Sequence, residues 1–289
     1  MNQLNFFAEA EATPKGEVPV TPAIPEKSVT FAELAIPATV AATSRGTRAE
    51  ASSQKPLLIV IDGMAMLYRA FFALQRTGMS SPSGLPTGAL YGFTTALLKI
   101  FENYHPHYLV AAFDSREKTF RHHLLESYKA NRAAPPEELL QQLEKLFELL
   151  KAFGVPVIKQ AGYEADDLIG AIVTQFADVC RIGIVTPDKD LAQLVREGVQ
   201  ILKPGKNQHE LEPLGSNEVK AHFGVPPKQF THFLTLTGDT SDNIVGAKGI
   251  GPKTAATLLE KYQTLDKLYQ HLDELTPKER TTLEDYAPN

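Results

Sequence analysis

Three short apolar runs, each ending in aspartate, limit what this chain can fold into. Leu57–Ile61 leads into Asp62-Gly63, Tyr108–Phe113 into Asp114, and Ile182–Thr186 into Pro187-Asp188-Lys189-Asp190. Continuous apolar, β-branched runs suit strands covered on both faces, as in parallel sheets. Helical patterns separate them: one through Phe72, one over Thr87–Tyr104, and one over Glu137–Phe153. The last carries Leu139, Leu143, Leu146, Leu149 and Leu150 on one side, with Pro136 near its start and Gly154 as its C-cap. Val155–Ile158 and Val199–Leu202 read as further short strands. Strands alternating with helices predict an α/β fold with a mostly parallel central sheet. Ligands of such sheets sit beyond the carboxyl ends of the strands, so Asp62, Asp114 and Asp188 are expected on one rim.

The densest acid lies at Gly162–Gly170, where Glu164, Asp166 and Asp167 crowd into the start of a helical run. Acidic residues suit a first helical turn, and a lone Asp after a strand is ordinarily a helix cap. Three together repel: two unit charges ~5 Å apart cost about 3 kcal/mol at an effective dielectric near 20. A hard divalent cation removes that cost. With Asp62, Asp114, Asp188, Asp190, Asp239 and Asp242 the candidate metal ligands exceed what one ion needs. Two divalent ions about 3.5–4 Å apart are the economical reading, which suits in-line displacement at phosphorus. Mg²⁺ is the expected ion, with Mn²⁺ as a substitute. The single cysteine, Cys180, excludes a disulfide framework and a cysteine-based zinc site, and reads as a small buried apolar residue.

Between Arg116 and Arg132 the chain turns basic, with Phe120 and Tyr128 interleaved among Arg116, Lys118, Arg121, Lys129 and Arg132. Such a mixture holds single-stranded nucleic acid through phosphate contacts and stacking. It equally describes a solvated amphipathic helix with Phe120 and Leu124 as its buried face. Beside a metal-binding rim, Lys129 or Arg121 would stabilise charge on a scissile phosphate.

From Pro213 onward the pattern is helical, over Asn217–Phe223, Pro227–Leu236 and Pro252–Tyr262. Ahead of the last comes a glycine-rich turn, Val245 to Thr254, whose backbone N–H groups and following helix start suit phosphate. A plain turn between two helices remains the alternative. It is not a P-loop, because Pro252 stands between the last glycine and Lys253.

The 289 residues, 43% hydrophobic, suffice for a large domain or slightly more, and no apolar run is long enough to span a membrane. A net charge of −5 argues against a nonspecific polycation but leaves room for local basic patches. Residues 1–55 differ from the rest, being rich in Ala, Pro, Thr, Ser and Glu, and read as a disordered leader. Their acids argue against a transit peptide. Leu4-Asn5-Phe6-Phe7 is a candidate docking motif.

Taken together, Ile61-Asp-Gly, Leu67-Tyr-Arg-Ala, Pro86-Thr-Gly-Ala, Phe113-Asp, Lys118-Thr-Phe-Arg, Tyr128-Lys, Glu164-Ala-Asp-Asp, Asp188-Lys-Asp, Gly238-Asp-Thr-Ser-Asp-Asn and Gly249-Ile-Gly closely resemble the 5′ nuclease domain found at the N-terminus of bacterial DNA polymerase I, within the flap endonuclease superfamily. The resemblance runs from about Leu57 to Tyr286. It implies a PIN-like core at 56–212, a helical arch, and a helix-hairpin-helix-like DNA-binding region at 213–289. Asp62, Asp114, Glu164 and Asp166 would hold one Mg²⁺, and Asp167, Asp188, Asp190, Asp239 and Asp242 would serve the second. Phe120, Arg121, Tyr128, Lys129 and Arg132 would contact the 5′ strand. Gly249, Gly251, Lys253 and Thr254 would grip duplex DNA, with K⁺ at that turn. The implied activity is 5′–3′ exonuclease and 5′-flap endonuclease action on DNA in primer removal and repair. The implied partners are flaps, nicks, 5′ ends and RNA primers on DNA, and a polymerase in cis or in trans. The expected setting is a monomer in the bacterial cytoplasm at the nucleoid, away from membranes. Two departures stand out: Pro187 where relatives often carry glycine, and a C-terminal region that reads as truncated after Tyr286. The rival readings are a noncatalytic junction-binding module and a PIN-type RNA nuclease. The second gives no reason for the Gly249–Thr254 turn.

Overall fold

The computed structural model describes residues 55–205 and 210–286, so the expectations for residues 1–54 lie outside it. Six strands form the main sheet: β1 (Leu57–Asp62), β2 (Tyr108–Ala112), β3 (Val157–Ile158), β4 (Arg181–Val185), β5 (Val199–Pro204) and β6 (Leu211–Leu214). Their order is β3-β2-β1-β4-β5-β6. The first five run parallel, and β6 returns antiparallel along β5. Sequence reading ends the sheet at β5 and starts the helical region at Pro213. Pro213 instead lies in β6, opposite Leu202. An edge strand accommodates proline because its missing N–H can face away from the ladder.

Successive residues of a strand face opposite ways, and β1 divides two cores on that basis. Leu58 and Val60 pack with α5 (Ala165–Phe176) through Ile169, Ile172 and Val173. Ile59 and Ile61 pack with α1 (Gly63–Leu74), α2 (Gly88–Tyr104) and α4 (Glu137–Ala152), through Phe71, Leu97 and Leu146 among others. Leu58 through Ile61 are 0–1% exposed, so the central strand is sealed on both sides. Truncating a side chain buried this completely costs ~2–4 kcal/mol. Gly63 lets the chain leave β1 directly into α1, because a Cβ there would sit 2.2 Å from the Phe113 ring.

The core that Leu58 and Val60 share with α5 continues into the C-terminal helices α6 (Ser216–Phe223), α7 (Phe230–Thr237), α8 (Pro252–Tyr262), α9 (Leu265–Gln270) and α10 (Pro277–Tyr286). A two-stranded hairpin, β7 (Gly238–Asp239) and β8 (Ile244–Val245), joins α7 to the turn before α8. The helices α9 and α10 lie beyond the last one read from sequence. The basic segment contains one short helix, α3 (Phe120–Leu124), followed by turns. Leu124 is 66% exposed, which removes the amphipathic-helix reading of that segment. Among the described residues no helix is long and apolar enough to cross a membrane.

Candidate active site

The parallel sheet delivers its acids to one edge. Asp62 is the last residue of β1 and the N-cap of α1: its Oδ1 accepts from Ala65 N at 3.1 Å, and its Oδ2 accepts from Thr186 Oγ1 at 2.8 Å. Thr186 follows β4 directly and is fully buried. It also accepts from Asp188 N at 3.0 Å, tying the ends of two strands together. Asp114, just past β2, accepts from Ala165 N at 2.9 Å and so steadies the start of α5. The capping reading and the clustering reading therefore hold for the same residues.

Asp166 is where these acids meet. Its carboxyl is pushed up to about 8, first by burial and then by the charges of Asp62, Asp188 and Asp114. Asp62 rises to about 6, again chiefly through burial, which outweighs the lowering by Thr186 and Ala65; Asp114 and Asp188 add repulsion. Asp190 rises to about 7 through burial and the neighbouring Asp188, against the lowering effect of Lys189. Its Oδ1 is buried without a hydrogen bond, with Lys189 Nζ at 3.6 Å. Asp62, Asp114, Asp166, Asp188 and Asp190 are thus acids held together against their own charge.

The remaining acids are already partnered by cations. Glu164 Oε2 accepts from Lys129 Nζ at 2.8 Å and from Tyr128 OH at 2.9 Å. Arg121 grips Asp167 with both guanidinium NH groups at 2.7 Å, and Asp167 Oδ2 also accepts from Glu164 N at 3.0 Å. Although burial pushes the Asp167 carboxyl up, Arg121 and the Glu164 amide bring it below the ordinary range. Asp242 takes Arg132 and a bond from Tyr128 at 3.0 Å. Asp239 receives Lys189 at 2.6 Å and both groups of Ser241. Burial opposes ionisation there, but Lys189 and Ser241 win and hold the carboxyl far below its usual range. Burial and the adjoining Glu164 and Asp242 charges push the Tyr128 phenol far upward, so it stays a donor.

The candidate metal ligands read from sequence therefore lie in one region but in two electrostatic groups. Among the described residues no three acidic, histidine or cysteine side chains stand close enough to hold a metal ion as they are. The donor chemistry still fits a hard divalent cation: oxygen-only acids that repel one another, Asp62 buried, Asp166, Asp188 and Asp190 half-buried and Asp114 exposed, with one Asp190 oxygen lacking a hydrogen bond. Of the basic residues, Arg121, Tyr128, Lys129 and Arg132 all face this edge. Phe120 packs instead toward Tyr163, with ring centres 6.1 Å apart, and beneath Arg121.

Three features were not singled out from sequence. Thr186 sits inside an apolar run and gives no signal there. Tyr68 and Phe72 stack along α1 at 6.1 Å, with Phe72 60% exposed. Asp114 and Arg132 both act electrostatically on Tyr68, which places this aromatic pair beside the acids. Asn131 and Asn243 bridge two loops, as described below. The glycine-rich turn continues directly from the β7–β8 hairpin. Lys248, Gly249, Gly251 and Lys253 are exposed on it, Thr254 is half-buried, and Ala247 and Ile250 anchor it in the core. Gly251 caps α8, with Pro252 in its first turn.

A parallel sheet ending in clustered acids, overlaid by a basic segment, suits phosphodiester chemistry, and comparison with known proteins gives the family. Residues 57–224 match the family model for the 5′-3′ exonuclease N-terminal resolvase-like domain. Residues 225–289 match the model for the 5′-3′ exonuclease C-terminal SAM fold. The chain belongs to the 5′-3′ exonuclease family, a family of nucleases. It is 40% identical over 223 residues to a 5′-3′ exonuclease of Bacillus subtilis, covering 76% of this chain and 75% of that one. It is 42% identical over 230 residues to DNA polymerase I of Caldicellulosiruptor bescii, covering 78% of this chain but only 27% of that protein. The chain thus spans about a quarter of the length of the DNA polymerase I relatives it matches. In fold it is similar to the bacteriophage T5 D15 flap endonuclease, solved with DNA and metal ions, at 22% identity and a TM-score of 0.66 over 79% of this chain and 84% of that one. It is also similar to the catalytic core of Rad2 in complex with DNA substrate, at 18% identity and a TM-score of 0.53 over 87% and 79%.

Proposed function

We propose that this chain is a divalent-metal-dependent 5′–3′ exonuclease and 5′-flap endonuclease acting on DNA, in primer removal and gap repair. It would do so alone or joined to a polymerase. The observation that carries the reading is the mutual repulsion of Asp62, Asp114, Asp166 and Asp188 at the ends of β1, β2 and β4 and the start of α5. Like charges held together at a partly desolvated edge are costly unless a cation joins them. Asp62, Asp114, Asp166 and Asp188 would hold the ions, with Asp190 and its unpaired oxygen beside them. Two Mg²⁺ bound there would lower the pKa of an attacking water and neutralise both oxygens of the displacement.

The chain's own residues would do the rest. Lys129 and Arg121 would exchange their pairing with Glu164 and Asp167 for the substrate phosphate and place positive charge where the transition state is negative. Tyr128 remains protonated at any physiological pH and donates from between Glu164 and Asp242. Tyr68 and Phe72 offer a stacking surface for a base at the junction. Lys248, Lys253 and the backbone of Gly249 and Gly251 would grip duplex phosphates, with K⁺ seated in that turn. The relatives and fold neighbours described above support DNA as the substrate. A labelled 5′-flap duplex incubated with Mg²⁺ should give short 5′ products that EDTA abolishes. Binding without a metal-dependent product would leave a junction-binding module. Faster cleavage of single-stranded RNA than of the flap would turn the reading toward an RNA nuclease.

A further inference from the structure

Two asparagines far apart in sequence hold the basic strap Ser127–Arg132 against the acidic loop Thr240–Asn243. Asn131 Nδ2 donates to Thr240 O at 2.8 Å. Asn243 Nδ2 donates to Ser127 O, also at 2.8 Å, in the opposite direction. Between them, Lys129 N donates to Asp242 O at 3.0 Å and Arg132 Nε to Ser241 O at 3.3 Å. Every one of these bonds ends on a main-chain carbonyl, so they fix where the two backbones lie and leave the carboxylates free for other partners.

The backbone at this contact is strained. Lys129 has φ +54° and Asn243 φ +59°, two of the four non-glycine residues with positive φ among the described residues. Asparagine visits this region readily, whereas lysine does so only at a steric cost. Asn131 and Arg132 are exposed and Asn243 is half-buried, so water competes for each bond and the net gain is small. Bonds open to water are a poor reason to retain that strain, so stability does not explain the arrangement. Geometry does. The turn at Lys129 is what aims its Nζ at Glu164, 2.8 Å away, while its N–H stays on the acidic loop. Strain retained beside reactive groups commonly serves to preorganise them.

We propose that Asn131 and Asn243 form a clasp that positions Lys129 against the acidic edge. They are positioning residues that touch no substrate themselves. The inference rests on the nuclease reading above for its kinetic part, and on the loop contact alone for its structural part. Without the clasp the strap would still carry its charges, but Lys129 would reach the phosphate only part of the time.

The test uses Asn131→Ala and Asn243→Gly in the full chain; glycine keeps the positive φ and removes only the amide. On a flap duplex with Mg²⁺, kcat should fall about 10- to 100-fold while KM stays within about threefold. In a Lys129→Met background, adding Asn131→Ala should cost less than a further twofold, because the asparagine acts through that lysine. Hydrogen exchange at the Lys129 amide should quicken at least tenfold in both variants, with β1 and β4 amides unchanged. Losses that multiply in the double variant would overturn the positioning role, and unchanged Lys129 exchange would overturn the clasp itself. Should the wild-type protein fail to cleave, the nuclease reading falls, and the exchange measurement still decides whether the clasp exists.

Discussion

Arg121 meets Asp167 as a two-pronged pair, with both nitrogens 2.7 Å from the carboxylate oxygens. Asp166, the adjoining residue, points into a group of like charges instead. Neighbours in sequence therefore have opposite roles. Asp166→Asn should abolish cleavage, with a loss beyond about 10³-fold, and leave flap affinity in EDTA within a few fold. Asp167→Asn should keep Mn²⁺ affinity within about threefold and cost about 1 kcal/mol of stability, a figure discounted because Arg121 is a third exposed. Calorimetric Mn²⁺ titration and thermal melting separate the two.

The raised carboxyls at Asp62 and Asp166 set a pH dependence for the metal-free protein. A carboxyl whose folded pKa is raised binds its proton more tightly when folded, so it favours folding at low pH. That benefit disappears as pH rises from about 4 through the folded values of about 6 and 8. Melting temperature in EDTA should fall between pH 5 and pH 8.5. Added Mg²⁺ should recover it at pH 8.5 and have little effect at pH 5, where the acids are protonated. The lowered carboxyls of Asp167 and Asp239 act only below about pH 4 and do not obscure this window. An equal Mg²⁺ effect at both pH values would contradict the assignment.

Gly238 should tolerate no side chain. Its φ is +72°, and a Cβ there would lie 2.3 Å from Gly246 N. The obstacle is backbone, so no rotamer change relieves it. Gly238→Ala should cost about 3 kcal/mol or more and displace Asp239 from Lys189. Denaturant unfolding measures the first. Cleavage assayed below the variant's melting point measures the second.

Lys248 stands exposed on the turn before α8 and Lys253 in the first turn of that helix. Replacing either with alanine should weaken duplex binding and lower the slope of log affinity against log salt by about one. At saturating DNA kcat should stay within twofold. A fall in kcat with an unchanged salt slope would remove the turn from the duplex-binding surface.

Much of the architecture is legible in sequence because it depends on local pattern. The runs ending at Asp62, Asp114 and Asp188 are strands flanking a buried centre, and their order along the chain implies a shared edge. Strand β6 is not legible, since Pro213 reads as a breaker and only its position on an open edge excuses it. The division of the acids is not legible either. Whether Asp167 or Asp166 takes a cation depends on where Arg121 ends up, and that is settled by packing across 46 positions of sequence. Charge count points to the candidate site, but pairing within it is a property of the folded chain.

The acidic edge draws on segments from Asp62 to Asp242, and the strap over it is fastened to the last of them. A nascent chain extruded from the ribosome only through β5 would have the sheet's parallel strands but neither Asp239 nor the carbonyls that receive Asn131 and Lys129. Translation itself would then act as a safety catch. The protein would gain the means to cut nucleic acid only after the hairpin that carries Asp239 and Asp242 had been made.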